Sequence, residues 1–123
     1  MAKNPSNNGG KWIRPDKRLA IYLRDGFCCV YCGRDLVNHP GELTLDHVSP
    51  CNHNEKPDNR ARNLVTCCKR CNSSKQDLKV SDFIRVLIGW GVDCSEVIPR
   101  IRRNTRRSLK KYRKEAKQIL ANR

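Results

Sequence analysis

The stretch NLVTCCKRCNSSK at residues 63–75 contains a short apolar run, two cysteines three positions apart and a polar helix start. The same C-x-x-C spacing occurs twice in the chain, at Cys29 and Cys32 and at Cys68 and Cys71. A tight turn with this spacing directs two thiolates at one ion, and a closed structural zinc site takes four such ligands. The two pairs therefore predict a structural Zn²⁺ bound by four cysteines, with redox dithiols or buried free thiols as the alternative.

The other four cysteines lie outside this pairing, at Cys28, Cys51, Cys67 and Cys94. We expect small buried residues there, since free cysteine is among the most buried residue types. Because Cys28 and Cys67 each adjoin an expected ligand, a shift of the ligand set by one residue stays open. Residues 33–67 separate the two pairs by 35 positions, whereas a simple zinc ribbon has a spacer of about 15 to 20. A further structure is therefore predicted between the pairs.

Positive charge is concentrated towards the C-terminal end of the chain. The 123 residues carry 26 Lys plus Arg against 12 Asp plus Glu, a formal net charge of +14. Residues 99–123 hold 11 of these basic residues and one acidic residue, Glu115. Such a surface favours an anionic partner, and we expect nucleic acid, although a solvated charged helix has the same composition. The sequence shows neither a signal peptide nor a membrane-length apolar run, so we expect a cytoplasmic protein without membrane association.

The first half of the chain is predicted to form a small mixed domain. We expect a flexible leader over residues 1–12 and a short helix that begins near Pro15 and stops at Asp25-Gly26. Alternating apolar and polar residues predict a strand over 43–48, which a polar loop over 49–62 separates from a second strand over 63–66. Residues 72–76 then begin a helix. We assign residues 13–80 to this domain.

The remaining residues, 81–123, are predicted to form a helical extension. Ser81 and Asp82 can cap a helix that ends near Gly89. Beyond it, apolar residues recur at steps of three or four and predict one amphipathic helix from Ile98 to Ile119, with cations on its other faces.

Three motifs follow one another along the chain: C-x-x-C-G from Cys29, L-D-H-V-x-P from Leu45 and N-L-V-x-x-C-x-x-C-N-x-x-K from Asn63. Over residues 18–79 this arrangement resembles the HNH endonucleases, or ββα-metal nucleases, and most closely their small stand-alone members in phages and bacteria. The resemblance implies an α+β fold, in which a small ββα-metal core is stapled by a four-cysteine zinc site and flanked by helices. It also implies a metal-dependent DNA endonuclease that leaves 5′-phosphate and 3′-hydroxyl ends.

The resemblance implies a role for each of four residues. His47 matches the general base that takes a proton from the attacking water, and Asp46 matches a ligand of a divalent ion at the phosphate. Asn63 matches the middle residue, whose amide oxygen would accept a hydrogen bond from the His47 ring. Asn72 stands where the family name has a second histidine, and its amide oxygen is a hard ligand that favours Mg²⁺ or Mn²⁺. Since Asp46 and His47 are adjacent on a strand, we expect them to point to opposite faces.

Several basic residues are candidates for DNA contacts. Lys75, one helical turn beyond Asn72, is expected either to reach a phosphate or to be solvated. In the C-terminal helix we expect non-specific phosphate contacts from Arg102, Arg103, Arg106, Arg107, Lys110 and Lys111. His39 and His53 are expected at the surface, with His53 a weak candidate for substrate contact.

Two alternatives stay open for the function and the partners. A zinc-stapled nucleic-acid-binding module without hydrolysis would explain the cysteines and the charge, but would not require Asp46, His47, Asn63 and Asn72 together. The apolar stripe over residues 101–119 can pair with a second copy or with another protein, so both a monomer and a homodimer are possible. The likeness to phage members makes a terminase protein of the packaging machinery a candidate partner, in the cytoplasm of the host cell.

Overall fold

The computed structural model describes residues 13–50 and 56–122; the predicted leader over 1–12, Cys51 and His53 lie outside the described residues. No helix within those two ranges is both long and apolar enough to cross a membrane. The predicted α+β class is confirmed, with a short 3-10 turn before each strand. The main elements are α1 (Pro15–Arg24), β1 (Leu43–His47), β2 (Leu64–Cys68), α2 (Lys69–Lys75), α3 (Val80–Gly89), α4 (Val97–Arg106) and α5 (Lys110–Ala121).

The two strands form an antiparallel hairpin. Their register runs from Leu43 opposite Cys68 to His47 opposite Leu64. Both predicted strands are thus confirmed, with the second one shifted so that it runs into the second cysteine pair. Because α2 begins at the next residue, the hairpin delivers the chain directly from the sheet into the helix that carries Asn72.

Apolar clusters cover both faces of the hairpin, which explains why all five residues of β2 are buried. On one face, Leu45 and Leu64 pack with Ile21 of α1. On the other, Val65 packs in a cluster that includes Phe83 of α3. Since Phe83 follows the boundary predicted at residue 80, this core spans both parts of the chain, and the division into domain and extension stays a prediction.

A buried ion pair anchors the end of α1 to the start of β2. Arg24 Nε lies 2.7 Å from Asp25 Oδ1, and neither side chain is exposed. The guanidinium also donates to the backbone oxygens of Ala61 and Leu64, at 2.9 and 2.6 Å. Asp25 accepts from the backbone N–H of Thr66 at 2.8 Å. The pair therefore fixes the segment that enters β2 against α1.

The C-terminal region forms two helices, so the prediction of a single amphipathic helix over residues 98–119 is wrong. After α4, Arg107 adopts an extended backbone with φ −70° and ψ 133°. Ser108 Oγ then accepts a hydrogen bond from the backbone N–H of Lys110 at 3.2 Å, which satisfies a free donor at the start of α5.

The break has a packing reason, because the two halves of the apolar stripe belong to different clusters. Ile101 of α4 packs with the cluster that contains Val65, whereas Leu109 packs against the cluster that α1 covers. α5 lies along α1, where Ala116 is wholly buried. Most of the stripe is thus used inside the chain, and Ile119, 45% exposed, is its main exposed apolar residue.

Candidate active site and metal centre

Four sulfur atoms converge where β2 meets α2. The Sγ atoms of Cys29, Cys32, Cys68 and Cys71 all lie within 4.8 Å of one another, and those of Cys32 and Cys68 are 3.9 Å apart. A tetrahedral site with Zn–S bonds of about 2.3 Å has S–S edges of about 3.8 Å. The predicted convergence of the two pairs is confirmed, and their spacing fits a four-coordinate ion.

Local backbone geometry aims each pair at the same point. In the first pair the backbone oxygen of Cys29 accepts from the N–H of Gly33 at 2.9 Å, and Gly33 closes this turn with φ +80°, a conformation that favours glycine. In the second pair Cys68 is the N-cap of α2, where its Sγ accepts from the backbone N–H of Cys71 at 3.4 Å.

The thiols of the cluster cannot all ionise without a cation. A hydrogen bond with the Cys32 thiol is the main cause that lowers the pKa of Cys29. The pKa of Cys71 is raised, chiefly by its hydrogen bond to Cys29, because one thiolate opposes the formation of the next. Cys28 and Cys67 lie outside the cluster, and burial raises the pKa of both thiols. Since the converging group contains neither Cys28 nor Cys67, a ligand set shifted onto either residue is not favoured.

The ring of His47 contacts Asn59, a partner that the sequence did not predict. His47 Nε2 lies 2.7 Å from Asn59 Oδ1. Because an amide oxygen only accepts, Nε2 carries the proton of the neutral ring and Nδ1 is its acceptor nitrogen. The backbone oxygen of Asn59 accepts in turn from Lys17 Nζ at 2.6 Å, which fixes this residue from the side of α1.

Asn63 instead ties together the two ends of the loop between the strands. Its Oδ1 accepts from the backbone N–H of Ser49 at 2.8 Å. Its Nδ2 donates to the backbone oxygens of Ser49 and Asp58, at 3.2 and 2.9 Å. Asn63 thus fixes the course of the loop that carries Asn59.

Asp46 lies in a buried network with an aromatic hydroxyl and a lysine. Its Oδ2 accepts from Tyr31 Oη at 2.6 Å and lies 3.0 Å from Lys75 Nζ. Lys75 also donates to the backbone oxygen of His47 at 3.1 Å. Burial raises the pKa of Asp46, and the positive charge of Lys75 opposes that rise. Lys75 itself is fully buried, so it is not solvated and does not present its ammonium to a phosphate, contrary to both expectations.

Asn72 lies on the same face of the hairpin as Asp46. Its Nδ2 donates to Thr44 Oγ1 at 3.0 Å and to the backbone oxygen of Leu45 at 3.2 Å. Thr44 and Asp46, two positions apart, share one face of β1, and Lys75, one turn beyond Asn72, contacts Asp46. Two oxygen atoms are left for a ligand by these contacts among the described residues, Oδ1 of Asn72 and Oδ1 of Asp46. Both are hard donors of the kind that Mg²⁺ and Mn²⁺ prefer.

Asp46 and His47 use opposite faces of β1, as expected for adjacent strand residues. Asp46 faces Tyr31 and Lys75, whereas His47 faces Asn59. His47 is the last residue of the strand, so the two faces meet at the strand end. The contacts of Tyr31 with Asp46 and of Asn59 with His47 were not predicted from the sequence. Tyr31 lies inside the first cysteine pair, and Asn59 is one of several turn-forming residues in the loop.

The basic residues expected to contact DNA are all exposed, but they are spread over two helices and a linker. Three lie on α4, one in the linker and two at the start of α5: Arg102, Arg103, Arg106, Arg107, Lys110 and Lys111. Arg107 Nη1 also donates to the backbone oxygen of Arg24 at 3.1 Å. Their contacts with DNA stay a prediction. His39 is exposed, as expected.

Residues 29–78, which include both cysteine pairs and the four candidate residues of the site, match the HNH endonuclease family. These residues, 50 of the 123 in the chain, are thus similar to an HNH endonuclease domain. The chain is similar to the CRISPR-associated endonuclease Cas9 of Actinomyces naeslundii, with 34% identity over 85 residues, 69% of this chain and 7% of that protein. The crystal structure of the Type II-C Cas9 enzyme from Actinomyces naeslundii superposes with a TM-score of 0.57 at 29% identity, covering 83% of this chain and 11% of that one. The chain thus spans a small part of the length of these relatives.

Proposed function

We propose that this protein is a metal-dependent DNA endonuclease that cuts phosphodiester bonds to leave 5′-phosphate and 3′-hydroxyl ends. The observation that supports this most directly is the 2.7 Å contact between His47 Nε2 and Asn59 Oδ1 at the end of β1. It presents an acceptor nitrogen at the strand end that also carries Asp46. The match of this segment to the HNH endonuclease family supports phosphodiester hydrolysis as the reaction.

In the proposed reaction His47 accepts a proton at Nδ1 from a water molecule, whose oxygen attacks the phosphorus while the bond to the 3′ oxygen breaks. The 3′ oxygen takes up a proton and leaves as a hydroxyl, and the phosphate stays on the 5′ end of the other fragment. Asn59 keeps the ring in one tautomer because its amide oxygen accepts the Nε2 proton. Asp46 and Asn72 would hold the divalent ion, which supplies positive charge at the phosphate and at the leaving oxygen.

We assign the four-cysteine cluster to a structural Zn²⁺. Its ligands are all sulfur, three of the four are buried, and a site closed by four protein ligands has no open position for substrate. The cluster supports the site indirectly, because α2 contains both Cys71 and Asn72. Binding of the ion would therefore fix the helix that presents Asn72 to β1.

A plasmid assay with matched histidine variants tests this function. We expect the parent protein to nick or cut supercoiled plasmid when Mg²⁺ or Mn²⁺ is added, and the fragments to be joined again by a ligase that requires 5′-phosphate and 3′-hydroxyl ends. His47→Ala should abolish cleavage while zinc content and DNA affinity stay near the parental values. His39→Ala, which changes an exposed histidine outside the site, should cut like the parent.

The outcomes separate the competing functions. Cleavage by highly purified His47→Ala at the parental rate would show that the catalytic assignment is wrong. Plasmid that is retarded but intact under every metal condition would favour the non-catalytic nucleic-acid-binding module. Ends that carry 3′-phosphate would retain a nuclease but exclude the proposed bond cleavage.

A further inference from the structure

A groove with a lining of basic residues runs between α1, the turn before β2 and α5. Its volume is about 680 Å³, and it is open to solvent. Apart from Ala61 and Leu109, its lining consists of six cationic side chains, Lys17, Arg60, Lys110, Arg113, Lys114 and Lys117. Lys17 and Arg60 come from the first half of the chain, and the other four cations come from α5, which lies along α1 because the chain breaks after α4.

The groove keeps a large excess of positive charge after its ion pairs are taken into account. Arg113 pairs with Asp16 and Arg60 pairs with Asp58, each at 2.9 Å. The remaining four cations have no acidic partner among the described residues, and all are lysines: Lys17, Lys110, Lys114 and Lys117. No carboxylate is part of the lining.

Lys17 on α1 and Arg113 on α5 both line this groove. The pKa of Lys17 is lowered, first by burial and then by the positive charge of Arg113, while the negative charge of Asp58 opposes that shift. An anion bound in the groove would therefore stabilise the charged form of Lys17. The excess of cations in the lining favours a negatively charged ligand.

The free lysines of α5 are regularly spaced. Lys110, Lys114 and Lys117 lie at positions i, i+4 and i+7 and therefore share one face of the helix. At 1.5 Å per residue they span about 10 Å, which is close to the axial rise of roughly three nucleotides at 3.4 Å each. A row of compact ammonium groups at this spacing suits the repeated phosphates of one strand.

The groove is connected to the candidate base through a single residue. Lys17, in the wall of the groove, donates to the backbone oxygen of Asn59 at 2.6 Å, and Asn59 Oδ1 contacts His47 Nε2 at 2.7 Å. Arg60 is the next residue and also lines the groove. The groove and His47 are thus neighbours, because both contact Asn59.

We propose that the groove between α1 and α5 binds the phosphate backbone of the DNA strand beside the phosphate that is cut. This role rests on the proposed function, since it takes the substrate of that site as its ligand. Arg60 and Arg113 are engaged by Asp58 and Asp16, and the four lysines suit phosphates as compact point charges, so we expect contacts that position the strand. Continuity with His47 favours the substrate over an acidic protein as the occupant.

Binding measured without cleavage tests the groove. The double variant Lys114→Gln/Lys117→Gln removes two lysines of the groove, and Lys79→Gln/Arg85→Gln removes two exposed cations at α3 as a control matched in charge. Each zinc-loaded protein is titrated into a fluorescent duplex of arbitrary sequence at several salt concentrations, without added Mg²⁺ or Mn²⁺. We expect the groove variant to lose at least about tenfold in affinity at 0.1 M salt and its salt slope to become shallower by about 1.8, or roughly 0.9 for each lost phosphate contact. The control should stay within about twofold of the parent.

Equal losses of DNA affinity in the two double variants would show that only net charge matters and would overturn the proposal for the groove. An unchanged DNA affinity of the groove variant would overturn it too, and so would binding of polyglutamate as tightly as the duplex. The proposed function fails separately: a parent protein that binds in the groove but never cuts with Mg²⁺ or Mn²⁺ would leave the groove in place and remove the nuclease. Conversely, a groove variant that cuts with parental kcat and KM would retain the nuclease and remove the groove.

Discussion

Replacing Lys75 with methionine removes the cation that faces Asp46 while keeping most of the apolar volume of the side chain. In the structure the two groups are 3.0 Å apart, with side-chain exposures of 0% and 6%. Removing one partner of such a pair leaves an uncompensated buried charge, which costs about 3 to 5 kcal/mol. For a domain of this size roughly 1 kcal/mol corresponds to about 4 °C, so we expect Lys75→Met to lower Tm by about 12 to 20 °C.

The loss should also depend on pH in a defined direction. Burial raises the pKa of Asp46 and Lys75 opposes that rise, so the pKa rises further once the lysine is removed. An acid whose pKa is higher in the folded state holds its proton more tightly there, and its ionisation costs stability as the pH rises through that folded pKa. The deficit of Lys75→Met relative to the parent should therefore be smallest near pH 4, close to the ordinary pKa of 3.8 for an aspartate, and should grow as the pH rises towards 7.

Thermal melting of zinc-loaded proteins, followed by circular dichroism, measures both effects. In the double variant Asp46→Asn/Lys75→Met no charge remains to be compensated, and the asparagine can still bond to Tyr31. We expect the double variant to recover most of the stability that Lys75→Met loses. If the losses in Tm of Asp46→Asn and Lys75→Met simply add in the double variant, the two side chains do not compensate each other's charge and the reasoning is refuted. A Lys75→Met variant that melts within about 3 °C of the parent would refute it too.

Three further predictions follow from the same contacts. Cys68→Ser should lose its bound zinc, measured by native mass spectrometry, and its folded circular dichroism spectrum, because the sulfur also caps α2. The control Cys28→Ser should keep both. A Cys68→Ser variant that still binds zinc would show that the four ligands are assigned wrongly. Asn59→Ala should lower kcat by about 10- to 100-fold at unchanged zinc content. Asn59→Asp keeps an oxygen acceptor and should retain more activity. A parental kcat in Asn59→Ala would contradict the role of Asn59 in orienting the His47 ring. Asp25→Ala leaves the Arg24 guanidinium buried without its carboxylate. Denaturant unfolding should therefore show a free energy of unfolding lower by about 3 to 5 kcal/mol. A loss below about 1 kcal/mol would show that the backbone contacts of Arg24 alone compensate its buried charge.

Local patterns in the sequence were sufficient for the elements that form around the cysteines. The C-x-x-C spacing predicts turns whose geometry depends on few residues, and the alternation over residues 43–48 predicts a strand with one polar face. The four sulfurs and the two strands followed from these patterns, whereas α2 begins at Lys69, three residues before the predicted helix start at Asn72. They are the parts of the fold whose determinants lie within a few positions of one another.

Contacts between distant residues explain what the sequence did not predict. Lysine is almost never fully buried unless it is paired, and the partner of Lys75 is 29 positions away, at Asp46. The loop before β2 contains two asparagines near its end, Asn59 and Asn63, and only the folded loop decides which one faces His47.

The break between α4 and α5 has a different cause. The apolar period continues without a phase change from Ile101 through Leu109, and neither proline nor glycine interrupts it. The helix ends because its two halves pack in different clusters. Ser108, whose side chain bonds to the backbone of α5, was the one local signal available.

Because α2 is short, the proposed chemistry depends on metal binding at the four cysteines. The helix has seven residues, whereas an isolated helix needs about 12 to 15 to be even marginally stable in water. Its N-cap and third residue are Cys68 and Cys71, so an ion bound by their sulfurs would supply the nucleus that the chain itself lacks. A chain with no ion at the four sulfurs would then lack an ordered helix to bring Asn72 to β1. The proposed activity would therefore appear only after this ion is bound.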